Sequence, residues 1–412
     1  MSSRALIDHF FRHEYGRLVS TLSRRVGVEH LEAVEDAAQS ALMAALETWT
    51  KSELPANPSA WLFRAAINEL LGGLRKGARR RRILERLGPT SPTDPEPIPT
   101  LSGEMQDDLL RMLFVCCDDA IPQRSQLVLA LKVLSGFDVR EIALRLFTSE
   151  ANVYKRLTRA RARLRSRPLD LDALDSAQHA ARLPAVLAIL HLLFTEGYLS
   201  HHAEHAIRGE LSDEAIRLAT LLAAHPVGRR PETFALVALM HLHGARMDAR
   251  VDAAGSLLLL EEQDRSRWDA AQVSEGLSWL AASSDGDVLS RYHVEAGIAA
   301  EHCLAPSFAE TRWDRVVELY GLLRRIAPSE VHELNRAVAV AEWKSPAAGL
   351  RVLDALAPSP ALAASYQWAA VQADLHRRAG RVEEAARHRA HALEAAPTPA
   401  VEALLRRRLG RD

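Results

Sequence analysis

The stretch DVREIALRLFTSEANVYKRLTRARARLR, residues 138–165, decides the reading of the chain's first half. Apolar side chains recur every three or four positions in Val139–Leu146 and again in Ser149–Arg165, the spacing of two short amphipathic helices. Asp138 and Ser149 stand just ahead of them, each with an oxygen that can accept from the orphan amides of a first helical turn. Only Phe147 and Thr148 lie between, so the pair reads as a helix-turn-helix whose helices cross on Ile142, Ala143, Leu146, Val153, Leu157 and Ala160. The other face of the second helix carries Lys155, Arg156, Arg159, Arg161, Arg163 and Arg165, charges suited to neutralising phosphates and releasing counterions. Ser149, Asn152, Tyr154, Lys155 and Arg156 lie toward its N-terminal end, where base edges are read. Taken alone, such a helix is equally a solvated basic face, and its surroundings must decide.

Working outward, residues 1–170 carry 26 basic and 21 acidic side chains, so the balance of −1 for the whole 412-residue chain conceals a basic first part and an acidic remainder. A polyanion suits only the first part. Five prolines (Pro89, Pro92, Pro95, Pro97 and Pro99) within Gly88–Gly103 remove backbone donors and mark a semi-flexible, extended linker. Helical periodicity flanks it, in Ala33–Trp49 and Pro58–Leu74 before and in Asp107–Ala120 and Ile121–Ser135 after, with no sustained alternation of a strand. Cys116, Cys117 and Cys303 form no C-x-x-C spacing and read as core packing. No long uninterrupted apolar run and no leader pattern at Met1–Phe11 stand out, so a cytoplasmic protein without a membrane span is expected.

Three phrases in order carry a resemblance: Glu35 to Trp49, Asn57 to Asn68 with the basic run Arg75, Lys76, Arg79, Arg80, Arg81 and Arg82, and Asp108 through Arg165. Together they resemble regions 2 and 4 of extracytoplasmic-function sigma factors. The resemblance implies core RNA polymerase and promoter DNA as partners. It places Asp36, Gln39, Leu42 and Met43 on the helix that docks on polymerase. It assigns Trp61, Arg64, Asn68, Arg75, Lys76, Arg79 and Arg80 to the minus-ten element, and Ser149, Asn152, Tyr154, Lys155, Arg156 and Arg159 to the minus-thirty-five duplex. Interleaved aromatics and arginines fit the first assignment, since they pair stacking faces with phosphate contacts. Trp61 and Phe63 also fit a helix core, which leaves Arg64, Asn68 and Arg75 as the firmer members. Two departures from many relatives, Phe147 in the turn and Gly72 at an often acidic position, keep promoter sequence from carrying over.

The remaining residues read as helical throughout. Near the end, Arg315–Ile326, Gly349–Leu356 and Val382–Ala395 each run into an Ala-Pro pair at Pro328, Pro358 and Pro397, spacings that bracket the tetratricopeptide period. Stacked helix pairs are expected there, able to bind an unidentified protein or peptide and without catalytic machinery. The phrases around Phe194–Tyr198, Leu211–Leu218 and Leu260–Asp269 resemble the extension of one sigma subgroup that is held to govern the sigma regions by intramolecular contact. Arg217, Arg246, Arg250, Arg265 and Arg267, with several acidic neighbours, are expected to form an ion-pair network between helices, the other reading being a docking patch.

The expected architecture is therefore all-α. Residues 1–87 form region 2, 88–104 a Pro-rich linker, 105–168 region 4 with the helix-turn-helix, 169–305 a helical extension and 306–412 tetratricopeptide-like repeats. His201-His202-Ala203-Glu204-His205 meets the short H-x-x-E-H pattern of a zinc protease, but no third ligand is identifiable and helix-end histidines are the expectation. With no phosphate loop or nucleophile elbow either, no metal, cofactor or enzymatic activity is expected. A DNA-binding regulator that is not a sigma factor, with a sensing repeat domain, is the other functional reading.

Overall fold

The computed structural model describes residues 3–49, 54–73, 102–146, 148–166, 176–198, 209–252 and 255–410. Among them every regular element is a helix, apart from a single antiparallel bridge between Val251 and Leu257. The all-α expectation holds. The Pro-rich stretch, the basic run after Gly73 and the histidine motif at 201–205 lie outside the described residues.

The chain divides into two compact units, Met1–Leu193 and Phe194–Asp412. In the first, α1 (Ser3–Val26) is followed by α2 (Leu31–Trp49), α3 (Pro58–Gly73), α4 (Ser102–Cys116), α5 (Gln123–Ser135), α6 (Val139–Arg145) and α7 (Glu150–Ser166). The first part of α8 (Ser176–Tyr198) closes the unit. Helix α1 is its axis, because Leu18, Val19, Leu22 and Val26 are buried against α2, α4 and α5. Helices α1 and α5 touch backbone to backbone: a Cβ on Gly16 would stand 2.1 Å from the Leu134 carbonyl oxygen. Gly136 ends α5 in the left-handed region at φ 64°, where a side chain would strain the backbone and press on the Tyr15 ring. Cys116 and Cys117 are buried in this core with their thiols pushed up by burial, as expected of packing residues.

The second unit holds α9 (Gly209–Ala224), α10 (Pro231–Gly244), α11 (Ala270–Ala282), α12 (Arg291–Leu304), α13 (Trp313–Ile326), α14 (Glu330–Trp343), α15 (Pro346–Asp354), α16 (Pro360–Ala363), α17 (Tyr366–Arg378), α18 (Val382–Glu394) and α19 (Pro399–Leu409). Helix α10 is apolar almost all round and central, with Ala235 through Met240 buried between α9, α11 and α12. From α12 onward, neighbouring helices pack in sequence around three small cores, centred on Val316 and Leu323, on Leu350 and Leu375, and on Ala369 and Leu405. Pro328, Pro358 and Pro397 each fall just past a helix end. Ser345, Ser359 and Thr398 cap the helices that start with Pro346, Pro360 and Pro399. One described helix, Ala177–Tyr198, is long and apolar enough to cross a membrane, and 56% of its most apolar window is buried within the protein.

Candidate nucleic-acid and polymerase interface

The helix-turn-helix begins on a reciprocal cap. The Glu141 amide donates to Asp138 Oδ1 at 2.7 Å and the Asp138 amide to Glu141 Oε2 at 2.9 Å, which fixes where α6 starts. In the turn, the Thr148 amide reaches the Ala143 carbonyl at 3.0 Å. Ser149 Oγ then accepts from the Asn152 amide at 3.3 Å to start α7. Ile142, Val153, Leu157, Ala160 and Leu164 are buried, so the two helices cross on the face that their periodicity marks. That packing turns Ser149, Asn152, Tyr154, Lys155 and Arg159 outward, with Arg156 half-buried. Tyr154, 58% exposed, is a large aromatic held in water at the front of a basic helix. These six are spread along the solvent side of α7 and offer hydrogen-bond donors, acceptors and an aromatic ring there.

Arg161 and Arg165 do not join that face. Arg161 Nη2 lies 2.7 Å from Glu35 Oε2, and its Nη1 lies 3.9 Å from Glu32; Arg165 is 3.5 Å from the same Glu32. The rear half of α7 is thus tied to α2, where sequence periodicity had grouped all six basic residues as one outer face. Periodicity separates polar from apolar positions, and it cannot tell water from a carboxylate 126 residues away. Glu35 is buried, and burial raises its carboxyl above the ordinary carboxylate range although Arg161 beside it pulls the other way. A second bond joins the same two parts of the unit, from Arg24 Nη1 at the end of α1 to the buried Asp108 of α4, at 3.1 Å.

On α2, Val34, Ala37, Ala38, Ala41 and Ala45 face the core. Asp36, Gln39 and Met43 face outward with Leu46, and Leu42 is half-buried at the margin. Met43 is 63% exposed, so the stripe combines an acid, an amide and apolar surface, a composition suited to a protein partner rather than to DNA.

Helix α3 starts on Asn57, whose Oδ1 accepts from the Ala60 amide at 3.0 Å. Leu62, Ala66, Ile67 and Leu70 are buried, while Arg64 and Asn68, one turn apart, are exposed together. Trp61 stands edge-on to Trp49 with ring centres 5.5 Å apart, and the Arg25 guanidinium lies 4.9 Å from the Phe63 ring centre. Both aromatics are half-buried, between the two roles the sequence left open. Arg75, Lys76, Arg79 and Arg80 lie outside the described residues.

Two family models match these two constellations: sigma-70 region 2 over residues 10–80 and sigma-70 region 4 over residues 111–164. The chain is an RNA polymerase sigma factor of the sigma-70, extracytoplasmic-function type. A third model, a family of unknown function (DUF6596), matches residues 182–284, so this sigma factor carries a C-terminal extension. It is 36% identical over 330 residues to an uncharacterized protein of Rhizobium meliloti (strain 1021), covering 79% of this chain and 78% of that one. No solved structure matches it.

The sigma factor's extension begins at a residue already engaged with region 4. Arg182, the first residue of the third match, is 4% exposed; its Nη2 lies 2.9 Å from Asp118 Oδ2 and its Nη1 donates to the Phe114 carbonyl at 3.4 Å. His179 meets the Phe114 ring edge-on at 5.2 Å. Sequence reasoning passed over Arg182 and Asp118. Only their burial, which no local pattern encodes, marks them.

The expected ion-pair network between helices is not formed by these arginines among the described residues, and the one pair present lies within a single helix. Arg217 pairs with Glu214 at 2.6 Å. Among the described residues no carboxylate comes within 4 Å of Arg246, Arg250, Arg265 or Arg267, which instead hold a tyrosine and backbone carbonyls. No group of three or more His, Cys, Asp or Glu among the described residues is placed to hold a metal ion.

Proposed function

We propose that this sigma factor brings core RNA polymerase to its promoters through the surfaces just described and that its own C-terminal helical domain regulates it in cis. In this reading Asp36, Gln39, Leu42 and Met43 meet polymerase. Trp61, Arg64, Asn68, Arg75, Lys76, Arg79 and Arg80 hold the melted minus-ten strand, and Ser149, Asn152, Tyr154, Lys155, Arg156 and Arg159 read the minus-thirty-five duplex. The sigma factor works in the cytoplasm, where its polymerase is, and performs no chemistry of its own. The last helices, from residue 306, act as tetratricopeptide-like repeats that receive a protein or peptide signal.

The observation that carries the regulatory part is the buried Arg182–Asp118 pair. Removing one partner of a buried pair leaves an uncompensated charge, so the start of the extension and region 4 are coupled energetically. A movement of α8 is felt in the core under the helix-turn-helix. The Arg161–Glu35 pair supplies a second coupling, between the DNA-reading helix and α2. The minus-ten and minus-thirty-five elements lie about 25 base pairs apart, roughly 85 Å at 3.4 Å per step. Regions that touch backbone to backbone at Gly16 and Leu134 do not reach both elements at once, so full engagement requires them to part.

Run-off transcription with purified core enzyme tests the reading. The full chain and a chain ending at Leu193 are both expected to bind core enzyme, because α2 is common to both, and to differ in promoter-specific transcript yield. Equal yields from the two reject regulation in cis, and failure of both to bind core enzyme rejects the polymerase assignment.

A further inference from the structure

Three arginines of the extension gather around two aromatic rings, with no carboxylate within 4 Å of them among the described residues. Arg246, 7% exposed, donates from Nη2 to the Tyr198 hydroxyl at 2.5 Å and to His243 Nδ1 at 3.3 Å, and its guanidinium lies 5.7 Å from the Trp268 ring centre. Arg250 donates to the Tyr198 carbonyl, and its guanidinium lies 3.6 Å from the Tyr198 ring centre. Arg265 lies 4.5 Å from the Trp268 ring centre as well, and donates to the carbonyls of His302 and Ala305 at 2.5 and 2.8 Å. All five of Tyr198, Arg246, Arg250, Arg265 and Trp268 fall within the matched family of unknown function.

The charge count is the anomaly. Arginine does not shed its proton, so burying Arg246 beside the half-buried Arg250 and Arg265 is costly unless an anion is near. None of the three has a carboxylate within 4 Å among the described residues, where their partners are a tyrosine, a histidine and backbone carbonyls. Donors are also left over: Arg246 Nε, Arg265 Nη2 and Trp268 Nε1 are buried and have no hydrogen-bond partner among the described residues. A buried donor without a partner is costly, and more so when it is charged. Burial pushes the Tyr198 hydroxyl up, but Arg246 and Arg250 outweigh it and hold it below the ordinary tyrosine range. His302, whose Nδ1 is also buried without a partner, is driven down to about 3 by burial and by Arg246 and Arg265, so it adds no cation and stays neutral.

We propose that this arginine cluster is the binding site for the phosphate group of a small phosphorylated molecule, which makes the extension a ligand-sensing domain. A phosphate monoester brings up to two negative charges against three cations, where a single carboxylate brings one. Guanidinium forks match its oxygens in pairs, and the indole N–H on Trp268 offers a further donor between Arg246 and Arg265. The rest of such a molecule would be organic and small, since Trp268 is 8% exposed and Arg246 7%.

The test uses the full chain and inorganic phosphate as the probe, with chloride at matched ionic strength as the reference. Phosphate is expected to raise the melting temperature saturably and to change the emission of Trp268, identified by its loss in W268F. R246K and the less buried R265M are each expected to weaken phosphate binding about tenfold or more, the effect of one lost charge-assisted hydrogen bond, with far-UV dichroism unchanged. R159S, on the DNA-reading face, is expected to leave it intact. The proposal fails if phosphate does no more than chloride, if R265M binds phosphate as the parent does, or if R159S abolishes the response. Acetate or malonate binding as tightly as phosphate overturns the ligand class.

Discussion

Arg161, on the second helix of the helix-turn-helix, and Glu35, on α2, lie 2.7 Å apart across 126 positions of sequence. Glu35 is 2% exposed and Arg161 is the base held against it. R161A is expected to destabilise the first unit by about 3 kcal/mol, because it leaves a carboxylate buried without its cation. Adding E35Q to R161A should recover much of that loss, since the remaining charge is gone. Urea denaturation of the two single variants and the double variant checks the coupling; purely additive losses would deny it.

The same carboxyl gives a pH dependence with a definite sign. Burial raises Glu35 and Asp108 above the ordinary carboxylate range in the folded protein, even with Arg161 and Arg24 beside them. The folded state therefore holds these protons more tightly than the unfolded chain does. Their contribution favours folding below the ordinary carboxylate range and is lost as pH rises through the raised folded values. Denaturation midpoints of E35Q should accordingly vary less than those of the parent across that window. An identical pH profile for the two would exclude Glu35 as a source.

Lys155 and Arg159 are exposed at the front of α7. K155A and R159A should each weaken promoter binding and reduce the slope of log affinity against log salt by about 0.9, the loss of one phosphate contact. Fluorescence anisotropy over a salt series reads both effects. R161A, whose charge serves Glu35, should alter that slope less than either.

Gly16 admits Leu134 to van der Waals distance, and a methyl group there would meet the carbonyl oxygen at 2.1 Å. G16A should force α1 and α5 apart at a cost of about 2 kcal/mol. Scattering from the variant is expected to show a larger radius of gyration. An unchanged radius with unchanged stability would mean that the α1–α5 contact does not hold regions 2 and 4 together.

Loss of the Asp138 cap is a local effect by comparison. D138A removes a hydrogen bond to the first turn of α6 and is expected to cost about 1 kcal/mol, visible as a lower thermal midpoint. D138N, which keeps an acceptor, should cost less.

What the sequence by itself determined here is everything that depends on a few neighbouring residues. Asp138, Ser149 and Asn57 announce helix starts because a cap bonds within three positions of itself, and the buried faces of α6 and α7 follow from a 3.6-residue period. Those local signals were enough for the helical class, the helix-turn-helix and the outward Lys155 and Arg159. Only the tertiary structure decided which charges find partners. Arg161 meets Glu35, Arg182 meets Asp118, and Arg246, Arg250 and Arg265 have no carboxylate within 4 Å among the described residues, although each looks alike in one dimension. The reason is physical: a charge's worth is set by its burial and by atoms within about 4 Å, and both are fixed by helices that pack together from distant parts of the chain.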